Sequence, residues 1–105
     1  MTNEDFQVYK QIKKIYPDRI PIVFKNHGRL KMDKTKYLVP NNITIGELLM
    51  VVRKQIHLSK YQALFLFVDK GTCLMGSDTI EMVYEKHKDR NVFLYIRYDV
   101  ENTFG

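Results

Sequence analysis

Lys36-Tyr37-Leu38-Val39-Pro40-Asn41-Asn42-Ile43-Thr44-Ile45-Gly46-Glu47-Leu48 changes its structural period midway. Lys36 to Val39 is aromatic and branched, as a strand prefers. Pro40-Asn41-Asn42 ends that strand with turn chemistry. Thr44-Ile45-Gly46-Glu47 is a capping box, in which the Thr44 hydroxyl accepts from the Glu47 amide and the Glu47 carboxylate reaches back. Ile45, Leu48, Leu49, Val52 and Ile56 then recur at helical spacing. A strand therefore runs through a short turn into an amphipathic helix.

Upstream, Ile20-Pro21-Ile22-Val23-Phe24-Lys25 predicts a strand. Pro21 donates no ladder hydrogen bond, which places it at an edge or a strand start. Asn26-His27-Gly28 is a turn, and the short return predicts antiparallel pairing with Lys36 to Val39. Before this hairpin, Asp5 to Ile15 predicts a helix with Phe6, Tyr9, Ile12, Ile15 and Tyr16 on one face. Pro17 ends it, because the residue before proline avoids helical geometry. Downstream, Ala63 to Val68 is a continuous apolar run, as in a buried central strand. Asp78-Thr79-Ile80-Glu81 is a second capping signature, opening a helix with Ile80, Val83, Tyr84 and His87 on its inner side. Val92 to Tyr98 alternates, with Val92, Leu94, Ile96 and Tyr98 facing one way and Phe93, Tyr95 and Arg97 the other. Residues 99–105 show no apolar period and read as a flexible tail. The order helix, β, β, helix, β, helix, β outlines an α+β roll of the ubiquitin-like β-grasp type. Its expected form is a four-stranded mixed sheet with helices packed on one face, plus a short N-terminal helix over about 5–15.

The chain has 105 residues, 45% hydrophobic and 28% charged, which fits one globular domain spanning 1–105. No apolar run approaches the roughly 20 residues that cross a bilayer. The polar, acidic start lacks the marks of a secretory signal. Cys73 is the only cysteine, so no internal disulfide forms, in keeping with a reducing compartment. A net charge of +5 favours acidic peptides, anionic lipid surfaces or nucleic acid as partners.

Ile15-Tyr16-Pro17-Asp18-Arg19-Ile20-Pro21-Ile22, Lys36-Tyr37-Leu38-Val39-Pro40, Ile43-Thr44-Ile45-Gly46-Glu47-Leu48, Arg53-Lys54-Gln55-Ile56-His57-Leu58, Ala63-Leu64-Phe65-Leu66-Phe67-Val68, Phe93-Leu94-Tyr95-Ile96 and the terminal Phe104-Gly105 occur in this order. That ordered set resembles the autophagy-related ubiquitin-like modifier family (GABARAP-like), over roughly Lys10 to the end. The resemblance implies a protein that is not an enzyme and needs no cofactor. It implies that Gly105 is the conjugation residue. A processing cysteine protease exposes the glycine where a tail follows it. An activating enzyme adenylates it with ATP, a conjugating enzyme carries it as a thioester, and it ends as an amide on phosphatidylethanolamine. Here Gly105 already ends the chain, so either no trimming is needed or the processed form is in hand. The implied location is the cytoplasm, and the autophagosome membrane once lipidated. Glycine suits this chemistry because it has no Cβ to crowd a thioester or a narrow channel. From Tyr98 onward, an extended tail would reach roughly 20 Å at about 3.3 Å per residue.

The family also binds receptors carrying aromatic-x-x-aliphatic motifs, whose peptide adds a strand to an open sheet edge. By resemblance that edge is Lys36 to Val39. The aromatic pocket falls to Ile12, Pro21, Lys34, Lys36, Leu38 and Phe93, and the aliphatic pocket to Tyr37, Val39, Pro40, Ile43, Leu48, Val51 and Val52. Lys34, Lys36 and Arg19 would receive acidic flanking residues. Five departures from the family pattern stand out. Leu48 replaces a common Phe, Gln55 an Arg, and Val8 a Glu that meets a tryptophan N–H, which implies a preference for Phe or Tyr. The loop Thr72-Cys73-Leu74-Met75-Gly76 lacks the usual proline, and a further N-terminal helical segment common in the family is absent.

Other readings are thinner. His27, His57, His87 and Cys73 share no ligand spacing for a metal. A Cys–His hydrolase would need nucleophile and base side by side, and Cys73 sits beside Leu74 and Met75, which favours an inert buried thiol. Basic charge with Tyr37 and Phe93 would permit base stacking, but no nucleic-acid reader motif is present. A modifier joined to protein rather than lipid fits the same terminal glycine.

Overall fold

The computed structural model describes residues 3–26, 32–88 and 93–102. The expectations placed on Gly105, Phe104, His27, Gly28 and Val92, and on the side chain of Phe6, lie outside the described residues. The elements run α1 (Asn3–Ile15), β1 (Arg19–Asn26), β2 (Lys36–Pro40), α2 (Ile45–Gln55), β3 (Gln62–Val68), β4 (Thr72–Cys73), α3 (Ile80–His87) and β5 (Leu94–Asn102). They form one five-stranded sheet in the order β2-β1-β5-β3-β4. β1 and β2 pair antiparallel, β1 and β5 parallel, and β3 and β5 antiparallel. This is the mixed sheet of a ubiquitin-like roll, with one strand more than the expected four. The extra strand, β4, is two residues pairing with Phe67 and Val68, too short to leave a period in the sequence.

Strand alternation builds the core. Ile20, Ile22 and Phe24 of β1, Leu64, Leu66 and Val68 of β3, and Leu94, Ile96 and Tyr98 of β5 point to one face and are buried. Ile45, Leu48 and Val52 of α2 and Ile80, Val83 and Tyr84 of α3 cover that face. α1 lies on the opposite face. Its Val8 and Ile12 share a cleft with Pro21, Val23, Leu38 and Phe93, the alternate set of strand positions. Ile15 is 65% and Tyr16 46% exposed, so these two leave the expected buried stripe. α1 bridges a cleft there and does not seal a core. Beyond α1 that face stays open, which is why the apolar run in β3 is not buried on both sides: Phe65 remains 36% exposed. Tyr84 of α3 hydrogen-bonds Tyr9 of α1. Burial first, then that bond, pushes its phenol above the ordinary tyrosine range.

The helix starts follow the sequence closely. Glu47 N donates to Thr44 Oγ1 at 3.1 Å and Thr44 N donates to Glu47 Oε1 at 3.2 Å, the complete capping box. The second helix is capped by Thr79, one residue later than a box on Asp78 would place it: Met82 N donates to Thr79 Oγ1 at 3.3 Å. The Asp78 carbonyl is taken instead by Ile45 N at 2.8 Å, and Ile43 O accepts from Ile80 N at 2.8 Å. The two helix N-termini are thus tied together. Gly46 N also donates to Gly76 O at 3.0 Å, where a Cβ on residue 46 would come within 3.4 Å of that oxygen. This gives the Thr72–Gly76 loop a structural role: its last residue anchors α2. Thr44→Ala removes the cap oxygen and is expected to cost about 1 kcal/mol. A fall in Tm of about 4–8 °C in thermal unfolding would register it.

Residues 99–102 depart most from expectation. They are not a tail but the end of β5, with Asp99, Val100, Glu101 and Asn102 opposite Phe65, Leu64, Ala63 and Gln62. Val100 packs against the core while Glu101 and Asn102 are exposed. An extended chain from Asn102 to Gly105 would span about 10 Å.

Candidate functional site: an open sheet edge between two clefts

β2 is an edge strand, and its hydrogen-bond phase determines what it offers. Phe24 N donates to Thr35 O at 2.8 Å, so Phe24 and Thr35 form a hydrogen-bonded pair. In the same register Val23 faces Lys36, Ile22 faces Tyr37 and Pro21 faces Leu38. Antiparallel pairs alternate, so the backbone groups of Tyr37 are spent on β1 while those of Lys36 and Leu38 point outward. Pro21, which has no N–H, sits opposite Leu38, where β1 makes no bond to β2 and loses none.

Two clefts flank this edge, one on each face of the sheet. The first, roughly 440 Å³, lies between α1 and the sheet. It gathers Ile12, Pro21, Lys34, Lys36, Leu38 and Phe93, all six residues assigned to the aromatic pocket. The second, roughly 480 Å³, lies between β2 and α2 and gathers Tyr37, Val39, Pro40, Ile43, Leu48 and Val51. Val52 is the exception. It is 0% exposed and belongs to the core, because its side chain points inward while Val51, one residue away and 44% exposed, turns to the cleft. Leu48, 1% exposed, forms the floor.

Arg19 lines neither cleft. Its guanidinium Nη1 donates to Leu38 O at 3.2 Å and stands near the Tyr16 ring, 5.9 Å from its centroid. Arg19 therefore occupies one of the outward backbone groups of the edge. Lys34 Nζ lies 5.1 Å from the Tyr37 ring. The Tyr37 hydroxyl is shut off from water and has no hydrogen-bond partner among the described residues. Burial, then the negative charge of Asp33, raises the Tyr37 pKa.

Sequence reasoning missed several lining residues. Glu4 and Val23 join Val8 in lining the first cleft, and Phe24, Glu47 and Met50 line the second. Glu4, Val8 and Ile12 are spaced four apart and share a helix face, a signal that was available. Glu4 also supplies a carboxylate one turn before Val8, so the argument for Phe or Tyr over Trp loses its premise. Cys73 is exposed in β4 rather than buried. None of the helices in the described residues is long and apolar enough to cross a membrane.

Fold and edge together define a ubiquitin-like protein whose sheet ends in an uncovered strand. The model of the family described as "Autophagy protein Atg8 ubiquitin like" matches residues 5–105. Autophagy-related protein 8 of Mycosarcoma maydis is 41% identical over 99 residues, covering 91% of this chain and 83% of its own. Autophagy-related protein 8a of Arabidopsis thaliana is 44% identical over 98 residues, covering 90% and 80%. The crystal structure of Trypanosoma brucei ATG8 superposes with a TM-score of 0.83 at 32% identity, covering 97% of this chain and 90% of that one. The chain belongs to the Atg8 family of autophagy ubiquitin-like proteins.

Proposed function

We propose that this chain is a modifier, not itself an enzyme, that is joined through Gly105 to phosphatidylethanolamine and recruits autophagy receptors by adding their aromatic-x-x-aliphatic segment to β2. Activating-like and conjugating-like enzymes would load the glycine, and a cysteine protease would release it. The protein would move between the cytoplasm and the autophagosome membrane. The observation that carries the docking half is the placement of the two clefts on opposite faces of one edge strand.

Side chains of a strand alternate between faces. Only residues an odd number apart can enter both clefts at once, and a separation of three spans about 10 Å. Lys34 and Lys36 at the first cleft suit acidic residues beside the aromatic one. Calorimetric titration tests this with paired peptides. Moving the aliphatic residue by one position turns it to the wrong face and is expected to weaken binding about tenfold, the burial of roughly one small apolar side chain. Equal binding of both spacings would remove the proposal. Glu4→Gln is expected to weaken a Trp peptide several-fold and leave the Phe peptide unchanged, since only the indole N–H needs the acceptor.

A further inference from the structure

We propose that the open face of the sheet carries a second site, which binds phosphate-bearing ligands and is centred on Arg97. A cleft of roughly 490 Å³ lies there, lined by Lys25, Arg97, Lys88 and His87 with Phe67 and Tyr95 as walls. It shares no residue with the two edge clefts. Arg97 sits mid-sheet, with Lys25 of β1 beside it on one side and Phe67 of β3 on the other. Two cations thus stand directly opposite one another on adjacent strands, an arrangement that is destabilising unless something answers it.

Nothing on the protein answers it among the described residues. Asp69 is the only carboxylate lining the cleft. Its Oδ2 lies 2.6 Å from His87 Nδ1, and since an ionised carboxylate only accepts, the ring donates and the acid is engaged. Glu85 lies 3.8 Å from Lys88 but is largely exposed. Asp99, two residues along the strand from Arg97, accepts from Val100 N at 2.9 Å. Lys25 rests against the Tyr95 ring, 4.7 Å from its centroid. Arg97 Nε is shut off from water and has no hydrogen-bond partner among the described residues. A side chain selected only for solubility would keep its nitrogens in water. Here the guanidinium stem is held in the sheet face with one donor unmet, beside two lysines and a histidine. A phosphate group fits this set: the arginine fork meets two of its oxygens and the ammonium groups supply further charge.

The test uses the full chain with two probes, pyrophosphate in solution and phosphatidylcholine vesicles with or without phosphatidic acid. Both carry the same phosphate chemistry, and the two arms distinguish a free ligand from a lipid headgroup. The expected result is saturable binding in at least one arm, with amide shifts at Lys25, Lys88 and Arg97. Arg97→Gln and Lys25→Gln each weaken it about tenfold or more, the worth of one charge-assisted contact. Lys34→Gln and Lys36→Gln, on the docking edge, leave it unchanged. The free Arg97→Gln protein is also expected to melt no lower than the parent, because relieving like-charge opposition offsets the lost packing. No Arg97-dependent binding in either arm overturns the proposal. So does equal sensitivity to the edge lysines, which would mean that net charge alone attracts the anion.

Discussion

Gly105→Ala is expected to stop lipid attachment, slowing transfer about 100-fold or more. In the proposed reaction the terminal carboxylate would be activated as an acyl adenylate with loss of pyrophosphate. A cysteine thiolate of the enzyme would displace the nucleotide, and the lipid amine would then displace the thiolate. Each step would need the carbonyl presented in a passage that suits a residue without a Cβ. Displacing reacting atoms by about 1 Å can cost about 100-fold, and a methyl group forces a shift of that order. Reconstitution with activating and conjugating enzymes, ATP and phosphatidylethanolamine liposomes, read by mass spectrometry, checks it. Attachment of the alanine variant at the parent rate would exclude Gly105 as the joining point. The end of β5 adds a constraint. With Asn102 paired to Gln62, three residues span only about 10 Å. A longer reach must open the pairs at Glu101 and Asn102 first, both of which are exposed.

Much of this fold is legible because its decisive signals are local. The Thr44–Glu47 box sets a helix start through two short-range hydrogen bonds, and five alternating residues set β5 from Leu94 to Tyr98. What escaped reading depends on neighbours distant in sequence. Residues 99–102 hold one apolar residue among three polar ones, and they are a strand only because β3 lies alongside. The pattern in α1 groups Ile12, Ile15 and Tyr16 on one helix face without saying which side of the sheet that face meets, and Ile15 and Tyr16 stay exposed. Val51 and Val52 are alike in composition and differ only by the 100° turn between helix neighbours. The edge residues were placed by resemblance to a family, and the structure independently groups all but Arg19 and Val52 around two clefts.

The phase of β2 permits a substitution that separates docking from folding. Lys36→Pro removes a backbone N–H that points away from β1, so the β1–β2 ladder keeps its bonds at Ile22–Tyr37 and Phe24–Thr35. Lys36 is the first residue of its strand, a position where proline is tolerated. Thr35, just before it, is already outside the helical elements, as a residue preceding proline requires. Stability is therefore expected to change by less than about 1 kcal/mol. An incoming peptide strand meets a different surface. Its carbonyl finds no donor and is left unpaired against the ring, at a cost of about 2–3 kcal/mol, or about 30- to 150-fold in Kd. Lys36→Gln is the control: it discards the charge and keeps the N–H, and should lose only a few-fold in affinity with a weaker salt dependence. Titration of one aromatic-x-x-aliphatic peptide against the three proteins gives the answer. If proline and glutamine weaken binding alike, the peptide is held by charge and pockets without joining the sheet, and strand addition at β2 is wrong.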